Sequence, residues 1–320
     1  MADCCSPTFL FVLIRSVHYA SCLLLLAVWA FHLFVLPAVW SSLTEAFRAR
    51  WQTLEARSTL LLLPIIAISG VAWFAVLCVN MSGLPFKQAM QPETVRAVWS
   101  QTHFGSVWQV RLVIWLGALY MPIGLSQRMP RIFLRMSAWV NLLLAGALAS
   151  SLAWAGHGED GGDWHLLADA IHLLIAGFWP LGLAPLALMF FEMRRIPLAK
   201  RRMPMLMLVR RFSMLSLCSV SILMITGVTN SLFMIGRVAD LVQTGYGRVL
   251  LLKIFLFLLM VCLGAVNLLR LKPRLAHAAS TGAADSAAEW LQWNVLAEIS
   301  LGLFVLVVTA ILGLLPPGHP

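Results

Sequence analysis

Eight long apolar stretches, at about residues 8–36, 58–79, 106–125, 134–155, 164–191, 212–235, 248–269 and 291–315, leave this chain of 320 residues few ways to fold. Each is close to the ~20 residues an α-helix needs to cross a hydrocarbon layer. None alternates like a barrel strand, and in lipid a helix is then the structure that pairs every backbone N–H and C=O within its own segment. The sequence predicts an all-α polytopic membrane bundle of about eight transmembrane helices. Only 11% of residues are charged, against about 25% in a soluble domain, so residues 1–320 read as one integral membrane domain. The first stretch is longer than a signal-peptide core and has no basic segment before it, which predicts a retained helix.

The net charge of +10 does not point to nucleic acid, because in a polytopic chain basic residues record which connections stay in the cytoplasm. The first, third, fifth and seventh connections, with the adjoining helix ends, hold 16 of the 23 Lys and Arg. Those connections, including Arg194, Arg195, Lys200, Arg201 and Arg202, are expected in the cytoplasm. Both termini are then expected on the other face, the periplasm if this is a bacterial inner membrane. The seventh connection, 275–289, is rich in Ala, Ser, Thr and Gly and reads as a flexible loop. Six cysteines form no C-x-x-C pair, and four lie in apolar stretches, so no disulfide framework is expected.

Ionisable residues inside spans are costly and tend to line a pathway or pair with one another. In the fifth span His165, Asp169 and His172 stand at i, i+4 and i+7, one helical face covering about 10 Å of depth. The connection before them, 156–163, contains His157, Glu159, Asp160 and Asp163 and no basic residue. His18 lies near mid-membrane in the first span and is expected to face His172 across the bundle, and His103 sits just outside the third span. Met81, Met90 and Met234 lie on the same side. Imidazole and thioether ligands suit copper, and carboxylates deep in the spans are too few for magnesium or calcium. The candidate metal ligands are His18, His103, His157, His165, Asp169 and His172; His with Asp suits Cu(II), whereas Met and Cys suit Cu(I), and both stay open. Arg15, Arg111 and Lys253 need counter-charges or carbonyls, with Asp169, Asp240 and Glu298 as candidate partners.

A second reading is a b-type haem carrier. His18 and His32 are 14 residues apart and return to nearly one helix face about 21 Å along the axis. His172 could pair with His18 on one haem, but 14 residues beyond His172 stands Leu186, so two haems are not expected. No nucleophile, base and orienting group come together in the sequence, so an enzyme is not expected.

Several segments carry a resemblance to a known family. Arg15-x-x-His18, Thr102-His103-Phe104-Gly105-x-x-Trp108-x-x-Arg111, Gly156-His157, Asp169-x-x-His172 with Trp179, Arg211-Phe212-Ser213, Thr226-Gly227, Thr244-Gly245-Tyr246-Gly247-Arg248 with Leu251 and Lys253, and Asn267 occur in an order that resembles the bacterial copper resistance protein D (CopD) family. The part at about 205–315 is most like the family core. The resemblance implies an eight-helix inner-membrane protein that handles copper, moving it from periplasm to cytoplasm, often beside a periplasmic carrier of the CopC type. Trp179-Pro180-Leu181-Gly182 departs from the pattern, since a small residue is expected after the Trp; the proline should alter a kink in the fifth helix.

Overall fold

The computed structural model describes residues 7–120, 131–156, 162–281 and 286–316. Its helices are α1 (Pro7–Phe34), α2 (Glu45–Ser82), α3 (Phe86–Ala89), α4 (Pro92–Gln101), α5 (His103–Ala118), α6 (Arg131–Ser150), α7 (Gly162–Phe178), α8 (Leu183–Met193), α9 (Leu198–Met234), α10 (Asp240–Gln243), α11 (Gly245–Val266), α12 (Lys272–Thr281) and α13 (Ala287–Leu312). The described residues contain no strand, and seven helical segments are long and apolar enough to cross a membrane. This is the expected all-α polytopic bundle. The expected third span falls on α5, whose 16 residues stop short of a full crossing at about 1.5 Å each; the rest of that stretch, 121–130, lies outside the described residues.

Helix α1 is the hub. It packs on α2, α6, α7, α8 and α13, and Cys22, Leu23, Leu25 and Ala27 have no exposed surface. Two apolar cores form on either side of it. One joins α1, α2, α5 and α6 through Trp29, Ile66, Trp108 and Leu148; the other joins α8, α9, α11 and α13 through Phe190, Phe212, Met260 and Val295. The outer faces of the long helices keep large apolar side chains exposed, among them Leu61, Ile68, Val71, Leu217 and Leu232, as lipid contact requires and water would not tolerate in such a patch.

The fifth expected span is divided. α7 ends at Phe178 and α8 begins at Leu183, because Pro180 brings no N–H to the ladder and its ring excludes a regular turn. Leu181 N–H reaches back to Ala176 O across 3.5 Å instead. The expected loop at 275–289 is also partly helical. After α11 a five-residue π-helical stretch, Asn267–Leu271, leads into α12, where Leu275 and Ala278 are buried and Arg202 donates to Ala278 O. Alanine favours helix, and tertiary burial of this face outweighs the loop-like composition.

Two short helices set the start of the third and seventh spans. Thr102 caps α5 by accepting from Gly105 N–H at 3.0 Å, and Thr244 caps α11 by accepting from Gly247 N–H at 2.9 Å. A Cβ on Gly105 would collide with the carbonyls of Val98 and Trp99, and one on Gly247 with those of Asp240 and Leu241. Gly105→Ala and Gly247→Ala should each therefore cost about 1–3 kcal/mol through overpacking, read as a lower midpoint of thermal unfolding in detergent. An unchanged midpoint would show that these turns relax without penalty.

Candidate functional site

α7 carries His165, Asp169 and His172 on one face, as the spacing requires, and presents them to α9 and α11. His165 is buried and its ring stacks on Phe233 of α9, centroids 4.9 Å apart. One turn deeper Asp169 Oδ1 accepts from Asn230 Nδ2 at 3.1 Å. Next, His172 Nδ1 lies 2.9 Å from Thr226 Oγ1. The Thr226 hydroxyl donates to Ile222 O at 2.8 Å, so it accepts from His172, whose Nδ1 then carries the proton and whose Nε2 carries the lone pair. From α11, Lys253 acts electrostatically on both Asp169 and His172, and Tyr246 lies near Asp169. The group is three helices wide, with two imidazoles, one carboxylate, one ammonium, an amide and two hydroxyls.

His18 belongs to a different group. Its Nδ1 lies 2.9 Å from Ser69 Oγ of α2 and its Nε2 2.6 Å from Arg111 Nη2 of α5. Trp73 and Trp108 flank the ring, with centroids at 5.5 and 6.0 Å. Both ring nitrogens of His18 thus point to α2 and α5, and the Nδ1 of His172 points to α9, so the expected meeting of the two is not what these bonds describe. A helical wheel gives the face of one helix and not which neighbour it meets. His103 is exposed in the first turn of α5, while Phe104 and Trp108 of the same helix turn inward and stack at 4.4 Å. His157 lies outside the described residues.

The basic residues find carbonyls and rings. Arg15 donates to Gly313 O at 2.8 Å and to the Tyr19 hydroxyl at 3.1 Å, and its guanidinium lies 4.9 Å over the Trp73 ring. Arg111 donates to Leu148 O at 3.0 Å and to Ser151 Oγ. Of the expected acidic partners, Asp169 has Lys253 near it, Asp240 accepts from Arg237 N–H in its own turn, and Glu298 accepts from Asn267 Nδ2. At the far end of α1, His32 Nδ1 lies 3.0 Å from both oxygens of Glu55, which also accepts from Trp51 Nε1 at 2.7 Å.

Sequence reasoning about ligands passed over Ser69, Asn230 and Glu55. Their signal was present, since each is a polar residue in or beside an apolar stretch, but only the packing of α1 on α2 and of α7 on α9 gives them partners. Among the described residues no three of His, Cys, Asp and Glu converge closely enough to enclose a metal ion. The site offers successive small sets of polar side chains along one helix face.

Known proteins show what the chain is similar to. Residues 1–166 match the family model described as Copper resistance protein D-like, N-terminal domain, and residues 206–312 match that of Copper resistance protein D. Copper resistance protein D of Pseudomonas syringae pv. tomato is 32% identical over 223 residues, 68% of this chain and 70% of that protein. The Inner membrane protein YebZ of Escherichia coli K12 is 26% identical over 97% of this chain and 99% of its own length. The Copper transport protein CutJ of Bacillus subtilis 168 is 28% identical over 96% of this chain, which spans 53% of that longer protein. No solved structure matches. Apolar helices in this number, with these relatives, make the chain a multi-pass protein of the inner membrane, and it belongs to the copper resistance protein D family.

Proposed function

We propose that the chain is a permease, not an enzyme, that moves copper ions from the periplasm to the cytoplasm by ligand exchange along α7. The observation that carries the reading is the single face formed by His165, Asp169 and His172, which meets Phe233, Asn230 and Thr226. His103 and His157 would capture the ion at the mouth, His165 would take it inward, Asp169 would offset its charge, and His172 Nε2 would hold it deepest. A metal-binding imidazole is best held when its other nitrogen donates to a neighbour, which Thr226 provides for His172.

The inward direction rests on the resemblance to the copper resistance protein D family, and the orientation of the chain on its charge distribution. Sixteen of 23 Lys and Arg belong to the odd connections, so the start of α7 with its acidic approach faces the periplasm under the positive-inside rule, and both termini share that side. A periplasmic copper carrier of the CopC type is the fitting donor. The whole of 1–320 acts as one membrane unit in this reading. No observation favours the haem b alternative, since an axial pair needs the Nε2 atoms of His18 and His172 to face each other and His18 Nε2 is held by Arg111.

Cells expressing the wild-type chain should accumulate severalfold more copper than cells with empty vector, and His172→Ala at equal abundance should return them to the vector level. Equal copper in all three would overturn inward transport and leave delivery to a periplasmic acceptor. The orientation has its own readout. Alkaline phosphatase fused after the last helix should be active, and the same enzyme inserted between α8 and α9 inactive; the reverse pattern would put the start of α7 on the cytoplasmic side and overturn the orientation.

A further inference from the structure

The polar group around His18 and that around His172 are built on one plan. Arg15-x-x-His18 of α1 corresponds to Asp169-x-x-His172 of α7. Each histidine has its Nδ1 2.9 Å from a hydroxyl on the next long helix, Ser69 of α2 or Thr226 of α9. A glycine follows each hydroxyl, Gly70 or Gly227, and a Cβ there would stand 3.2 or 3.5 Å from the histidine Cε1. The third long helix of each half then opens through a short helix and a threonine cap. The hydroxyl of Thr102 donates to Val98 O at 2.6 Å and that of Thr244 to Asp240 O at 2.7 Å, and the capped glycine comes three residues later in both. Nine residues beyond each threonine stands the base, Arg111 or Lys253. The members of each pair are four spans apart, first and fifth, second and sixth, third and seventh, so the halves run the same way through the membrane.

The correspondence directs attention to what the N-terminal centre holds. Ser69 donates to Ile65 O at 2.5 Å and so accepts from His18 Nδ1–H, which leaves the Nε2 lone pair outward, as at His172. Arg111 Nη2 sits on that lone pair at 2.6 Å and lies 3.6 Å from Cys22 Sγ, which is itself 3.8 Å from His18 Nε2. One positive group therefore fills a place bounded by an imidazole nitrogen and a thiol sulfur. Bonds of about 2.0 Å to nitrogen and about 2.3 Å to sulfur, typical of a first-row metal, close a bent N–metal–S unit across that separation. Nη1 of the same rigid guanidinium bonds Leu148 O and Ser151 Oγ, so an ion taking the place of Nη2 displaces the whole group and those two bonds with it. Thiolate with imidazole selects a soft ion.

We propose that the chain is a tandem repeat of one four-helix unit, and that its N-terminal half carries a second copper site, for copper(I), made by His18 Nε2 and Cys22 Sγ at the place Arg111 Nη2 now fills. Binding forms the Cu–N and Cu–S bonds and breaks the Cys22 S–H bond, releasing one proton to solvent, with no change of oxidation state. The position corresponding to Cys22 on α7 is Ala176, and Asp169 replaces Arg15, so the two centres differ in ligand hardness although their frames agree. This second site rests on the copper reading of the first.

The test is anaerobic titration of the purified, reduced full chain in detergent with copper(I), against a chromogenic copper(I) chelator, with a Cu–S distance sought by X-ray absorption. The wild type should bind two ions, and Cys22→Ser and His172→Ala one each. The Cu–S signal should persist in His172→Ala and vanish in Cys22→Ser, while Cys218→Ser, which removes an exposed thiol, should change neither. Cys22→Ala replaces Cys22→Ser if the serine variant does not fold. One ion in the wild type, lost with His172→Ala and untouched at Cys22, would overturn the second site and leave the first. Two ions unaffected by Cys22→Ser would overturn it equally, and no bound copper(I) in any variant would overturn the second site, the first being read by the accumulation of copper in cells.

Discussion

In hydrocarbon a hydrogen-bonding side chain has only protein to bond with, and an unpaired one costs several kcal/mol. The arrangement of the bundle follows from that constraint. Ser69 and Thr226 hand their protons to the preceding turn of their own helix and are left as acceptors, which fixes the tautomer of the histidine opposite. Arg15 and Arg111, the two buried guanidiniums among the described residues, are met by carbonyls of helix ends and by aromatic faces instead of carboxylates. A carboxylate would have to be desolvated as well, whereas a carbonyl at the end of a helix already lacks an intrahelical partner. The helices therefore cross where such groups meet, and α1, which carries Arg15, His18 and Cys22, becomes the hub.

Depth was legible in the sequence and azimuth was not. Position along a span follows from counting at 1.5 Å per residue, and the shared face of His165, Asp169 and His172 follows from the helical period. Which helix that face meets depends on packing between segments distant in sequence, so His18 was paired with His172 when its partners are Ser69 and Arg111, 51 and 93 residues away. The same limit explains the basic residues, whose partners are carbonyls with no sequence signature. Pro180 did announce the interruption of the fifth span, because its missing N–H is a local property. The composition of α12 is that of a loop, and the burial of Leu275 and Ala278 against neighbours that makes it helical is not a local property.

Much of the family resemblance proves architectural. Thr244-Gly245-Tyr246-Gly247 and Thr102-His103-Phe104-Gly105 are the turns that launch α11 and α5, with a threonine cap and a glycine where a carbonyl passes too close for a Cβ. These residues read as a motif because backbone contact tolerates nothing larger. The residues with chemistry to offer are fewer, and Arg111 and Lys253 owe their positions to those same turns, which fix the rotation of each helix about its axis nine residues before the base.

Arg111 constrains how any cation could pass. Two unit charges 4 Å apart repel by about 4 kcal/mol at an effective dielectric of about 20, which exceeds the net contribution of about 1 kcal/mol from an ordinary hydrogen bond. With Arg111 on His18 Nε2 and no carboxylate among its partners, an open pore for cations through the N-terminal half would carry a built-in barrier, whereas Lys253 has Asp169 to offset it. An ion that forms coordinate bonds is different, because it competes for the lone pair that the base holds and gains more from it than a hydrogen bond returns. Such an arrangement disfavours sodium or potassium, which gain little from imidazole or thiolate, and favours a ligand-seeking metal. Selectivity would then come from Arg111 as much as from the ligands, the guanidinium acting as an occupant that only a stronger binder displaces.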